Sequence, residues 1–249
     1  ALHIFSMRDG AWRYTYWEIE MRVLIVGGGM GGLFAAIALR EAGVFTSIDV
    51  YEQTRTPSTA GAGLNIAPNG ARLCKWLGID LDGGDPKSPQ GAIDGGRAAI
   101  LEATREIFQD GTVLRKPIDH NTAANDGAGF HHMHRMDLLM CLYKRALELG
   151  PDSGAGCPIR VHMNKRLTSV SQNAGTVTAH FTDGTVATGE LLIGADGINS
   201  EVVRQVWPNN PKRRWTGVTC YRGLIPRAKV ASLRKADGSP RSEERRVGK

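Results

Sequence analysis

The chain has 249 residues, 41% of them hydrophobic, enough to bury a sizeable core as one large α/β domain or one and a half smaller ones. Its net charge of +6 loses +2 when residues 241–249 (four basic, two acidic) are set aside, and the rest forms no basic stripe interleaved with aromatics, which excludes a nucleic-acid partner and suits phosphates or a carboxylated substrate. Apolar runs end well short of the ~20 residues of a membrane span, and Cys74, Cys141, Cys157 and Cys220 lack C-x-x-C spacing, so a soluble, cytoplasmic protein with buried thiols and no zinc or dithiol site is expected.

Residues 1–20 carry Trp12, Tyr14, Tyr16 and Trp17 without a clean period and lack the apolar core of a signal peptide. They read as an extension ahead of the fold, with Met21 as its expected start. The stretch 22–52, RVLIVGGGMGGLFAAIALREAGVFTSIDVYE, then carries the strongest signal in the chain. Val23, Leu24, Ile25 and Val26 form a continuous aliphatic run, as in a parallel strand buried on both faces. Gly27, Gly29 and Gly32 follow at G-x-G-x-x-G spacing: the first allows a tight turn, the second lets backbone approach a pyrophosphate, and the third lets helix pack on strand. The helix predicted through Leu33, Ala36, Ile37 and Arg40 stops at Gly43, and its N-terminus favours an anion. A second strand over 48–51 delivers Glu52, twenty residues beyond Gly32, where an acid hydrogen-bonds an adenosine ribose and disfavours a 2′-phosphate.

Residues 54–63 are rich in Thr, Ser, Ala and Gly and read as a loop passing over the cofactor, after which Pro68 opens a helix ending at Gly78. Short β segments are predicted at 98–101, 106–109 and 112–116, with a turn at Asp110-Gly111, marking a second layer of antiparallel character. Residues 136–149 return to a helical period, with Leu138, Leu139, Leu142 and Leu149 mostly on one side. Strands are predicted at 166–172, 176–182 and 190–193, with a turn at Asp183-Gly184. The last of them runs into Gly194-Ala195-Asp196-Gly197, a second nucleotide-facing turn, and a helix from Ser200 carrying Val202, Val203 and Val206. His131, His132 and His134 have no carboxylate or cysteine partners in sequence, so no metal ligands are assigned; partial exposure at a strand end is expected. Trp207 and Trp215 read as core or subdomain-interface residues. Residues 241–249, RSEERRVGK, read like the conceptual translation of a sequencing adapter and are expected to be an artefact.

Five ordered motifs carry a resemblance: Gly27 to Gly32 with Glu52; Gly61-Ala62-Gly63-Leu64 with Pro68-Asn69; His134-Arg135-Met136-Asp137-Leu138; Gly194-Ala195-Asp196-Gly197; and Tyr221-Arg222-Gly223. Over residues 21–227 the chain resembles single-component, class A FAD monooxygenases of the salicylate and 6-hydroxynicotinate hydroxylase group. The resemblance implies an α/β, doubly wound FAD-binding (Rossmann-type) fold over 21–240, with an inserted, partly antiparallel substrate subdomain whose strands fall at about 95–118 and 212–230. It implies FAD as cofactor, NADH or NADPH as reductant, O2, and a small aromatic substrate. By the same resemblance Glu52 binds the adenosine ribose, Arg135 contacts FAD phosphate or ribityl oxygens, the backbone of Leu167 holds the adenine end, and Asp196 and Gly197 support the pyrophosphate region. Asn65 falls where 6-hydroxynicotinate-type members carry a histidine proposed as proton acceptor; it is counted here with the cofactor contacts, and no catalytic base is assigned. Tyr221 and Arg222 are the implied substrate contacts. The group's later Gly-Asp segment is missing, so the fold is expected to be incomplete at the C-terminus, with only the adenosine half of the cofactor site present in full. Two other readings remain open: an NAD-linked dehydrogenase, and a non-catalytic binding protein that keeps the FAD fold.

Overall fold

The computed structural model describes residues 2–8, 11–17, 21–57, 63–79, 81, 99–100, 103–104, 118–119, 129–151, 156–210, 214–217, 219 and 229. In chain order the elements are β1 (Leu2–Arg8), β2 (Ala11–Trp17), β3 (Arg22–Val26), α1 (Met30–Ala42), β4 (Ser47–Tyr51), β5 (Gly63–Ile66) and α2 (Pro68–Trp76). Three two-residue strands follow, β6 (Ala99–Ile100), β7 (Ala103–Thr104) and β8 (Ile118–Asp119), then β9 (His131–His134) and α3 (Arg135–Glu148). The chain continues through β10 (Ile159–His162), β11 (Leu167–Asn173), β12 (Thr176–Phe181), β13 (Val186–Gly189), β14 (Leu191–Gly194), a 3-10 turn at Gly197–Asn199 and α4 (Glu201–Val206). They divide into two units, Ala1–Pro57 with Leu142–Lys212, and Ser58–Cys141 with Arg213–Lys249.

The first unit is built on a four-stranded parallel sheet in the order β10-β4-β3-β14. Counted by appearance along the chain, these are its third, second, first and fourth strands, the order of a doubly wound nucleotide fold. Val23 and Ile25 on β3 and Ile48 and Val50 on β4 are fully buried, as are Leu33, Ala36 and Ile37 on α1, which packs against both strands. The alternate residues face the other way. Leu24, Val26 and Tyr51 join Leu167, Ala179, Phe181 and Val202 in a second apolar cluster, so the antiparallel sheet β11-β12-β13 covers that side. Burial on both faces explains why 23–26 is a continuous aliphatic run rather than an alternating one. Gly43 closes α1 in the left-handed conformation, φ 68°, where a Cβ would be disfavoured.

β1 and β2 pair antiparallel from Leu2↔Trp17 to Arg8↔Ala11. The sequence pattern left β10 and β13 unassigned, because each is only four residues long, too short for its pattern to stand out, and lies at an edge of its sheet. Trp207 and Trp215, expected in a core or between subdomains, are instead 57% and 73% exposed. A six-residue α4 buries Val202 and leaves Val203 and Val206 exposed.

In the second unit β5, β9 and β6 form an antiparallel sheet in that order, and α2 follows β5. β5 starts at Gly63, the last residue of the loop read from the sequence, and runs over residues 64–66, to which the sequence assigned no element, before Pro68 opens α2. β6 lies within the 98–101 segment; the segments at 106–109 and 112–116, the Asp110-Gly111 turn and nearly all of 212–230 fall outside the described residues. His131, expected to be partly exposed, is 1% exposed, because β9 turns His131 and Met133 inward. Cys74, Cys141 and Cys157 are buried and form no disulfide, and burial pushes the Cys74 thiol up to about 11. Among the described residues no helix is long and apolar enough to cross a membrane.

Candidate functional site

The sheet reverses its strand order between β3 and β14, which run parallel with Val26 opposite Gly194. In open α/β sheets a ligand binds in the crevice beyond the carboxyl ends of the strands at such a switch point. Both glycine turns of the sequence fall there and interlock. Gly27 leaves β3 at φ 108°, its N–H donating to Tyr51 O at 2.8 Å. A Cβ on Gly27 would collide with Ala195 O, while Ala195 N–H donates to Val26 O at 2.7 Å. A Cβ on Gly32 would collide with Gly27 O, which fixes how closely α1 approaches the turn. These two glycines are demanded by the protein's own backbone.

Gly29 is different. Its backbone is extended (φ −74°, ψ −177°), open to any residue, and a Cβ there would meet nothing within 4 Å. Position 31 is equally open, whereas Gly197 has space around it but sits at φ 78°, where a side chain is disfavoured. Gly29 is also the N-cap of α1, where no side chain caps the helix and no acid stands in its first turn; the first helical bond is Leu33 N–H to Gly29 O at 3.0 Å. The first-turn N–H groups therefore lack helical acceptors, and among the described residues no side chain caps them. That arrangement fits a pyrophosphate, with the helix dipole adding about 0.3–1 kcal/mol for an anion.

Glu52, just past β4, is tied on every side. Its Oε2 accepts Gly28 N–H at 2.8 Å and its Oε1 accepts Thr54 N–H at 2.9 Å. Its own N–H donates to His162 O at 2.9 Å and its carbonyl accepts Lys165 N–H at 2.8 Å. A carboxylate oxygen has two lone pairs, so each oxygen can still accept a ribose hydroxyl while holding the glycine turn. The Lys165 bond brings the start of β11 beside Glu52, and with it Leu167, whose side chain is buried against the Tyr51 cluster. Behind Glu52, Tyr51 stacks on His162 (ring centroids 4.8 Å) and tilts against Phe181 (4.7 Å). His162 Nε2 in turn meets Asp49 Oδ1 at 2.7 Å. Burial pushes the Tyr51 hydroxyl up to about 12, Asp49 adding to the rise and Arg160 opposing it.

Asp196 turns its carboxylate onto the helix that follows it. Oδ1 accepts the Ser200 hydroxyl at 2.6 Å, and Oδ2 accepts the N–H groups of Glu201 (2.6 Å) and Val202 (3.2 Å). Ser200 Oγ accepts Val203 N–H at 2.9 Å. The second glycine turn is thus locked by its own acid.

Asn65 and Arg135 belong to the second unit. Asn65 on β5 is paired with His132 on β9, and its Oδ1 lies 2.6 Å from His132 Nδ1. A Cβ on Gly63 would come within 2.6 Å of His132 Nε2, so the ring occupies the space that glycine leaves. Arg135 is the half-buried first residue of α3. Tyr221 and Arg222 lie outside the described residues. The structure therefore gathers Gly27, Gly29, Gly32, Glu52, Leu167, Asp196 and Gly197 in one unit. Sequence reasoning missed the Gly28, Thr54 and His162 contacts around Glu52; the triple glycine hinted at the first, and no local signal marked the others.

Residues 20–214 match the family whose description is FAD binding domain. The chain is 34% identical to 3-amino-4-hydroxybenzoate 2-monooxygenase of Streptomyces cremeus over 215 residues, covering 86% of this chain and 49% of that protein. It is 33% identical to hispidin-3-hydroxylase of Neonothopanus nambi over 210 residues, 84% of this chain and 45% of that one. Among solved structures, Klebsiella pneumoniae HpxO complexed with FAD and uric acid matches with a TM-score of 0.56 and 28% identity, over 76% of this chain and 42% of that chain. The chain spans about half the length of the curated relatives it matches.

Proposed function

This chain belongs to the FAD binding domain family, and from that premise we propose that the whole protein is an FAD-dependent monooxygenase of the aromatic-hydroxylase type, using NADH or NADPH and O2 on a small aromatic substrate. The observation that carries the reading is the open glycine turn at the sheet's switch point, where Gly29 has no steric reason inside the protein to be glycine. There the first-turn N–H groups of α1 would take the pyrophosphate, Glu52 the adenosine ribose and the Leu167 backbone the adenine end. Gly27 and Gly32 shape the turn, and Asp196 with Gly197 supports the neighbouring one. By their sequence motifs alone, Arg135 and Asn65 are further candidate cofactor contacts, and Tyr221 and Arg222 candidate substrate contacts.

When bound, FAD supplies the redox chemistry: reducing equivalents from NAD(P)H to O2, one oxygen atom going to an electron-rich ring and the other to water. The residues named here bind and orient the adenosine end, and relatives acting on an aminohydroxybenzoate, hispidin and urate support an aromatic substrate. The test is made on the whole protein loaded with FAD. NAD(P)H oxidation and O2 uptake are followed while aromatic acids, hydroxypyridines and purines are added singly. The expected result is stimulation by one class with a product 16 mass units heavier, an oxygen atom being inserted. A whole protein that takes up no flavin and consumes no NAD(P)H overturns the proposal.

A further inference from the structure

We propose that Thr54 is a ligand for the adenosine of the dinucleotide, its hydroxyl bonding the nucleoside beside Glu52; the inference rests on the FAD reading above. Thr54 stands two residues beyond Glu52, and its N–H donates to Glu52 Oε1 at 2.9 Å. Its carbonyl accepts the N–H of Asn164 at 2.9 Å, from a residue that adopts φ 60° to reach it. Both backbone groups are therefore satisfied and the residue is held against the acid. The side-chain oxygen is not: Oγ1 is buried with no hydrogen-bond partner among the described residues.

A buried hydroxyl without a partner is uncommon in native proteins, and a methyl of the same shape in its place would be neutral or better for the protein alone. Threonine at this point indicates a partner that the chain does not itself provide. An adenosine offers ribose hydroxyls and ring nitrogens, donors and acceptors both, and a threonine hydroxyl can play either part. Glu52 can only accept from such a nucleoside when ionised, so Thr54 adds the donor that the acid lacks. The backbone bonds need not break, because a turn about χ1 alone re-aims the hydroxyl.

The test uses the whole protein and its Thr54→Val and Thr54→Ser variants. FAD affinity is read from quenching of flavin fluorescence, ADP affinity from displacement of FAD, and stability from the melting midpoint without nucleotide. Thr54→Val is expected to weaken FAD and ADP in parallel, by about five- to tenfold, with an unchanged or raised midpoint, while Thr54→Ser stays close to wild type. Unchanged affinity in Thr54→Val overturns the proposal, as does a loss for FAD that ADP does not share, or a lowered midpoint, which would mark a structural role. Wild-type whole protein that takes up no FAD overturns the functional reading and this proposal together; wild-type binding with an indifferent Thr54→Val overturns this proposal alone.

Discussion

Two glycine turns leave neighbouring strands of one sheet at the same level, and they treat the helix that follows in opposite ways. After β3, the thirteen-residue α1 begins at Gly29 with no side-chain cap and no acid in its first turn. After β14, the six-residue α4 begins under Asp196 and Ser200, which between them take the N–H groups of Glu201, Val202 and Val203. A side-chain cap contributes about 1 kcal/mol over alanine but only a few tenths over glycine, so Gly29 leaves the first-turn donors of α1 without a side-chain acceptor at little cost to the helix. Under the proposed function this difference divides the roles: the α1 donors would serve an anion from outside, whereas those of α4 are spent on making the second turn rigid. A matching pair of Gly-rich motifs in the sequence thus conceals one turn with its helix donors uncapped and one with them taken by its own side chains.

The comparison breaks most completely at Gly27. Gly27→Ala forces a Cβ into Ala195 O at φ 108°, striking both turns at once. A loss of about 3 kcal/mol or more is expected in urea unfolding of the full chain, and a variant as stable as wild type would mean the turns do not interlock. Gly29→Ala separates the functions. Its Cβ meets nothing and its φ is ordinary, so stability should stay within about 0.5 kcal/mol. FAD affinity should nevertheless fall at least about tenfold as the methyl enters the space for the pyrophosphate. Retained affinity in that variant would sink the assignment of α1 as the anion site. Ser200→Ala is the converse: loss of the cap on α4 should cost about 1 kcal/mol in unfolding and leave FAD affinity unaltered. If Ser200→Ala weakens FAD while sparing stability, the two turns have been assigned the wrong way round.

From the sequence alone, the first turn was legible because its signals are local: an aliphatic run, glycines at fixed spacing, a helix period and an acid all lie within 22–52. Asp196 was legible as part of a motif but not in its direction, since a carboxylate six residues from a valine gives no sign that it will fold back on its own helix. Contacts between distant segments were not legible at all. His162 reaches Tyr51 and Asp49 because β10 joins the far edge of the sheet, and four residues are too few for its alternation to announce a strand. The same holds for Asn65, whose partner His132 is set by antiparallel register and not by spacing. His131 and Trp207 show the limit of reading burial from residue type: a polar ring went inside and an aromatic one stayed out.

The smallest effect sharpens the comparison through pH. Tyr51 is the residue whose carbonyl receives Gly27 N–H at 2.8 Å, so it supports the binding turn and makes no corresponding bond to the Asp196 turn. Burial against His162 and Phe181 raises its hydroxyl from 10.0 to about 12, the Asp49 charge adding to the rise. A group whose pKa is raised on folding stabilises the fold fully below its unfolded value and loses that contribution as pH climbs through the folded one. For Tyr51 the window runs from about 10 to about 12. Tyr51→Phe keeps the ring and removes the ionisation, so the gap in unfolding midpoint between wild type and Tyr51→Phe should be constant below pH 10 and shift toward the variant's favour across that window. Ser200→Ala, which touches the other turn, should follow wild type in parallel through the same range. Parallel curves for wild type and Tyr51→Phe would show that the phenol ionises as freely folded as unfolded, and the buried support for the Gly27 turn would have to come from the backbone alone.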